Sequence, residues 1–215
     1  MRIGVFDSGV GGLSVANAIT SALPEHQVIF KYDREHFPYS NRPPEEIVGF
    51  VVPILQRLVD DGCAVIVIAC NTVSTTLINT LRTRISVPLI ATEPMIKPAA
   101  ELTKSKVIAV CATPTTLASG RYEWLKQNYA PGVTVIEPDC SDWSMMIEHD
   151  AVDEALIAER LTSALEQGAD VIVLGCTHYH WIETQITAIV AGRAQVIQPE
   201  AAVIKQVERV LAQLQ

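Results

Sequence analysis

The sequence has no apolar run long enough to cross a bilayer and no charged-then-apolar leader. Met1-Arg2-Ile3-Gly4-Val5 goes straight into strand-like sequence. These absences predict a chain that is neither membrane-spanning nor exported. Basic residues are in short supply: 16 Lys and Arg against 24 Asp and Glu leave a net charge of −8. That excludes a non-specific nucleic-acid binder, which needs a basic face. It does not exclude an anionic small ligand, which backbone N–H groups and helix N-termini hold whatever the global charge. No phosphate-binding GK[ST] motif is present, and no lysine stands in a convincing Schiff-base context. The Gly9, Gly11, Gly12 cluster looks like a dinucleotide loop, but Ser14 occupies the place of the third glycine and breaks the fingerprint. Nothing is low-complexity, and no linker rich in Gly, Ser or charge divides the chain. Cysteines number five, an odd count, and without an export signal they read as reduced thiols in the cytoplasm.

What is present is an alternation of short β-rich runs with helical patterns, which predicts an α/β protein with mainly parallel sheets. Strands are expected at residues 2–6, 27–32, 64–69, 88–90, 107–111, 133–137, 171–175 and 195–197. Between them, Ile47, Val51, Ile54, Leu55, Leu58 and Val59 keep the three-to-four spacing of a helix over residues 45–59. Leu156, Ile157, Leu161, Ala164 and Leu165 do the same over 153–167.

An internal echo organises these elements. Residues 62–70 parallel residues 168–176 at a constant offset of 106, so that a helix ends at Gly62 or Gly168, a buried strand follows, and Cys70 or Cys176 stands where the strand gives out. Residues 3–8 match residues 108–113 at an offset of 105. Two pseudo-symmetric α/β domains are therefore expected, with a site in the cleft between them. The first comprises 1–94 plus 198–215 and carries Asp7 and Cys70. The second, 95–197, carries Thr113 and Cys176. A C-terminal helix over 201–214 is expected to return to the first domain.

In open α/β sheets ligands bind beyond the carboxyl ends of the strands. Two halves facing each other would bring Cys70 and Cys176 to one substrate from opposite sides. That is the arrangement a racemase requires, with one base to remove the α-proton from one face and another to deliver a proton to the other. A thiol with a reference pKa of about 8.5 suits both roles near neutrality, and helix N-termini behind the strands favour the thiolate. Asn71 and Thr72 follow the first cysteine, and Thr177 and His178 the second. These neutral polar groups suit an α-carboxylate and the charge that develops on it. Thr113 and Thr116 sit in the loop equivalent to Asp7-Ser8-Gly9, which adds a carboxylate, a hydroxyl and a flexible backbone.

Competing readings are structural. Cys63, Cys111 and Cys140 lack polar helix-start neighbours and read as core thiols. Cys176, His178 and His180 lack the paired ligand clusters of a zinc site, so no metal is expected. Asp7 could cap a helix, and Trp143, Met145 and Met146 read as packing.

The segments Asp7 to Leu13, Asp33 with Pro38-Tyr39, Ala69 to Thr72, Thr113 to Thr116 and Leu174 to Tyr179 together resemble glutamate racemases, of the aspartate/glutamate racemase superfamily. The match spans most of the chain in the right order. The resemblance implies racemisation of glutamate by two bases without pyridoxal phosphate or metal, supplying D-glutamate for peptidoglycan, in a cytoplasmic homodimer. It implies that Cys70 and Cys176 are the bases, that Asp7 and His178 assist them, and that Asp33 and Glu148 tune them. Ser8, Asn71, Thr72, Thr113, Thr116 and Thr177 would hold substrate, helped by the backbone of Pro38, Tyr39 and Ser40. Some positions depart from the family pattern. Ser40 replaces a usual Gly, His180 a usual Pro, and Ser141, Asp142 and Trp143 the usual Pro and aliphatic residues. Aspartate or a broader range of amino acids is the alternative substrate class, and a non-catalytic small-ligand-binding relative the alternative function.

Overall fold

The Val- and Ile-rich runs form two four-stranded parallel sheets in a computed structural model that describes residues 1–214. The strands are β1 (Arg2–Asp7), β2 (Gln27–Tyr32), β3 (Cys63–Ile68), β4 (Leu89–Ala91), β5 (Val107–Cys111), β6 (Thr134–Ile136), β7 (Val171–Leu174) and β8 (Gln195–Ile197). One sheet has the order β2-β1-β3-β4 and the other β6-β5-β7-β8, all parallel. The fold is α/β, as the alternation of elements predicts.

The echo reaches individual pairings. Ile3 pairs with Val65, Gly4 with Ile66, Val5 with Val67 and Phe6 with Ile68. In the second sheet Ile108 pairs with Val171, Ala109 with Ile172, Val110 with Val173 and Cys111 with Leu174, the same four pairs displaced by the two sequence offsets. The next backbone bond is repeated as well: Ala69 N donates to the Phe6 carbonyl, Gly175 N to that of Cys111. Gly62 and Gly168 both take positive φ, 80° and 95°, where the chain leaves a helix and enters the strand.

By backbone contacts the chain divides into two compact units, Met1–Thr92 with Pro199 onward, and Glu93–Gln198. In the first unit, Ile3, Val5, Val65 and Val67 face the helices Leu13–Ala22 and Glu200–Gln213. Phe6, Ile66 and Ile68 face Pro44–Asp60 and Asn71–Arg82. Both faces are covered, so these strands are apolar at nearly every position. Helix Glu200–Gln213 inserts Val203, Val207 and Leu211, spaced along one stripe. Burying each is worth ~1.5–3 kcal/mol before ordering costs, which fixes the helix in this unit. In the second unit, helices Glu154–Glu166 and Glu183–Val190 cover one face of the sheet, and Ile96–Leu102 and Gly120–Tyr129 the other. Among the described residues, no helix is long and apolar enough to cross a membrane.

Candidate functional site

In the first unit the residues singled out by sequence gather at the carboxyl ends of β1, β2 and β3. Cys70 has extended backbone (φ −63°, ψ 113°), and its carbonyl opens the twelve-residue helix Asn71–Arg82 by accepting from Ser74 N. Cys70 is buried, 5% exposed as a residue, and its Sγ lies 3.3 Å from Ser8 Oγ. A helix N-terminus directly behind a thiol stabilises its ionised form.

Asp7, fully buried, accepts from Ser8 N at 2.9 Å, so its carboxylate orders the turn that carries the Ser8 hydroxyl. The N-cap positions of the two helical segments that follow are Gly9 and Gly12, which carry no side chain to cap with. Asp7 stands over Gly12, where an added Cβ would lie 2.5 Å from Asp7 Cβ. This glycine is therefore required by close approach, not by a nucleotide phosphate.

Asn71 is 3% exposed, and neither its Nδ2 nor its Oδ1 has a hydrogen-bond partner. Burying an amide in this way costs about 1–3 kcal/mol, a cost that a bound polar ligand would offset. Thr72 is buried beside it. Asp33 lies just past β2, and its backbone N–H donates to the Asp7 carbonyl at 3.3 Å. Its carboxylate accepts from Tyr39 Oη at 2.6 Å and lies 2.9 Å from His36 Nδ1. Burial, with Asp33 next, pushes the Tyr39 phenol far above its ordinary range, so it stays protonated and donates. Pro38 precedes, and Ser40 lies within, the short 3-10 turn Tyr39–Asn41.

In the second unit Cys176 stands two residues past β7, 7% exposed and extended (φ −147°, ψ 134°). A six-residue 3-10 segment, Thr177–Ile182, follows, and the α-helix begins only at Glu183. The expected helix start directly after this cysteine is corrected accordingly. The bulky run Tyr179-His180-Trp181-Ile182 is poor helix sequence, and Tyr179 is pinned by its hydroxyl bond to the Cys140 carbonyl and by its ring against Trp143 at 5.2 Å.

Cys176 Sγ lies 3.9 Å from His178 Nδ1, and His178 Nε2 lies 2.7 Å from Glu148 Oε2. Thiol, imidazole and carboxylate thus form a chain, with the imidazole buried. Glu148 ends the helix Trp143–Glu148, whose N-cap residue Asp142 takes Arg160 on both carboxylate oxygens. Asp142 and Trp143 depart from the family pattern, yet they anchor the helix that delivers Glu148. Thr113 caps the helix Pro114–Leu117 by accepting from Thr116 N and donates its hydroxyl hydrogen to Thr116 Oγ1 at 3.0 Å. Thr116 and Thr177 are buried. Cys63, Cys111 and Cys140 lie in apolar clusters. Burial, with Cys111 next, raises the Cys140 thiol far above its usual range, as expected of a core thiol. No group of three or more His, Cys, Asp or Glu side chains placed to hold a metal occurs among the described residues.

Sequence reasoning missed His36, whose only signal is its position three residues after Asp33. It also missed Tyr179, whose anchoring role depends on Cys140 and Trp143, far away in sequence.

Comparison with known proteins gives this geometry a family. The family model described as Asp/Glu/Hydantoin racemase matches residues 8–207. Glutamate racemase of Ralstonia nicotianae is 38% identical over 214 residues, covering 98% of this chain and 77% of that protein. Among solved structures, Escherichia coli glutamate racemase in complex with L-glutamate and the activator UDP-MurNAc-ala superimposes with a TM-score of 0.91. It is 28% identical, over 98% of this chain and 82% of that one. The glutamate racemase of Francisella tularensis in complex with D-glutamate gives a TM-score of 0.83 at 28% identity, over 99% and 81%. The resemblance carried by the cysteine motifs and the first loop thus extends along nearly the whole chain: it belongs to the Asp/Glu/hydantoin racemase family and is an amino-acid racemase, an isomerase.

Proposed function

We propose that this chain interconverts L- and D-glutamate with Cys70 and Cys176 as its two bases, without cofactor or metal, and so supplies D-glutamate for peptidoglycan. The observation that carries the reading is the placement of the two thiols at equivalent ends of duplicated strand pairs, each with its own polar support. In one direction a thiolate takes the α-proton, leaving a planar carbanion whose charge spreads into the carboxylate. The other thiol gives its proton to the opposite face and becomes the thiolate. The reverse direction exchanges the roles, so no net proton is consumed.

Ser8 and Asp7 support Cys70, with Asp33 behind them, and the His178–Glu148 pair supports Cys176. Asn71, with an unsatisfied amide in the free protein, is suited to the substrate carboxylate. Thr72, Thr113, Thr116 and Thr177 add neutral donors and acceptors, which strengthen as charge develops in a water-poor site. The small amino acid is the partner, together with a second copy of the chain, in the cytoplasm. The named substrates of the relatives favour glutamate.

The test is incubation with L-glutamate, and separately L-aspartate, in D₂O without added cofactor, following optical rotation and α-deuterium. Loss of rotation with deuterium gain from glutamate supports the reading. Turnover of aspartate alone assigns the other substrate, and no exchange with either amino acid overturns the reading.

A further inference from the structure

His36 belongs to none of the residues assigned above, yet it holds one of them in place. Asp33 is buried, and His36 Nδ1 lies 2.9 Å from each of its carboxylate oxygens. The His36 backbone N–H adds a longer contact at 3.4 Å. The imidazole is itself fixed. Its ring stacks on Phe50 at 3.7 Å and 10°, and Arg42 Nε donates to the His36 carbonyl at 2.8 Å. Arg42 does not reach the carboxylate in its place, because its guanidinium is paired with Glu46.

This arrangement bears on Cys70. Asp33 is one backbone hydrogen bond from Asp7, and Asp7 orders the turn whose Ser8 touches the Cys70 thiol. Tyr39, the other donor to Asp33, packs in the same apolar cluster as Cys70 and lies within electrostatic range of both Cys70 and Asp7. A buried carboxylate near a thiol opposes formation of the thiolate unless donors or positive charge neutralise its field. The charged and titratable groups around His36 are Asp33, Tyr39 and the exposed Arg34 and Glu35 from its own loop, Arg42 from the following turn and Glu46 from helix Pro44–Asp60. Asp7 and Cys70 lie beyond Asp33. Of these, His36 alone combines a side-chain donor to Asp33 with the capacity to carry positive charge, and its ring is about one-third open to solvent, at 30% exposure.

We propose that His36 is a positioning residue for the Cys70 half of the reaction: its Nδ1 holds and screens the Asp33 carboxylate, so that Asp33 fixes the Tyr39 turn without suppressing the Cys70 thiolate. This rests on the reading of Cys70 as a base, but it can be tested on the thiol itself without turnover.

The experiment is the pH dependence of Cys70 alkylation by iodoacetamide in the full chain, read by peptide mass spectrometry. Cys176 serves as internal control and buried Cys111 as a monitor of folding. His36→Phe keeps the stack on Phe50 and removes the donor. It should raise the Cys70 midpoint by about half a pH unit or more, equivalent to about threefold slower alkylation below the midpoint. The Cys176 profile should not move. His36→Gln, which restores a neutral donor, should recover part of the shift. Asp33→Asn should lower the midpoint, and adding His36→Phe to it should change nothing further.

An unmoved Cys70 midpoint in a folded His36→Phe chain overturns the proposal, as does an equal shift in the Asp33→Asn background. If His36→Phe exposes Cys111, the Asp33→Asn and His36→Gln profiles decide. Normal glutamate turnover with an unmoved midpoint removes only the role of His36. A shifted midpoint in a chain that racemises nothing removes only the functional reading.

Discussion

Asp170 immediately precedes β7, and it ties that strand to the turn before β5. Its carboxylate accepts from Thr103 Oγ1 on one oxygen and from the N–H groups of Lys104 and Ser105 on the other, at 2.7 and 2.8 Å. Burial works against ionisation here, but the bonds from Thr103, Ser105 and Lys104 outweigh it and hold the group down to about 2 from an ordinary 3.8. At 1.36 kcal/mol per unit, that depression corresponds to at most ~2.4 kcal/mol of folding stability. Partial exposure to solvent reduces this to about 1–2 kcal/mol. Asp170→Asn should therefore cost about 1–2 kcal/mol at pH 7, lowering the Tm by ~2–8 °C for a chain of this length. The contribution is complete above the unfolded carboxyl pKa of ~3.9 and is lost as pH falls through about 2. The gap between wild type and variant should accordingly close on acidification. All three tryptophans, Trp124, Trp143 and Trp181, lie in the unit that contains Asp170, so urea unfolding followed by tryptophan fluorescence reports on the right part of the molecule. Equal stability at pH 7, or a gap that does not narrow between pH 5 and pH 2.5, would refute the reasoning.

Other perturbations separate stability from chemistry. Gly12→Ala drives a Cβ into Asp7 and should cost about 1–3 kcal/mol through overpacking while displacing the turn that carries Ser8; unchanged Tm and turnover would contradict this. Asn71→Leu removes a buried amide without partners, so chemical denaturation should show equal or greater stability, while KM for glutamate rises steeply or turnover disappears. Glu148→Gln keeps a hydrogen bond to His178 but removes the charge. It should slow kcat about tenfold to a hundredfold, the equivalent of ~1.5–3 kcal/mol for a hydrogen bond to a charged group, and an unchanged kcat would exclude the chain from Glu148 to Cys176.

The sheets were legible in the sequence because strands buried on both faces leave continuous apolar runs, and because the repeat marks which strands of the two halves are equivalent. Their pairing was not: the offsets carry Phe6 with Ile68 onto Cys111 with Leu174, but only the folded structure supplies the first pair. Cys70 and Cys176 were legible through the same repeat. Local spacing could not reveal contacts made by folding between distant segments. Glu148 reaches His178 across 30 residues, on a six-residue helix with little periodicity to detect, and only family resemblance pointed to it. The closeness of Gly12 to Asp7 is a matter of ångströms that a Gly-rich loop does not disclose. The delayed helix after Cys176 combines a run of weak helix formers with Tyr179 being held by Cys140 and Trp143, a tertiary constraint that spacing does not disclose.

The central claim is that two thiols serve opposite faces of one α-carbon, and single-cysteine variants in D₂O test it most directly. Cys70→Ser and Cys176→Ser should each abolish racemisation. Each should retain slow α-hydrogen exchange with only one enantiomer of glutamate, and the retained enantiomer should differ between the two. Exchange of the same enantiomer by both variants, or mild and equal losses of racemisation, would contradict the account.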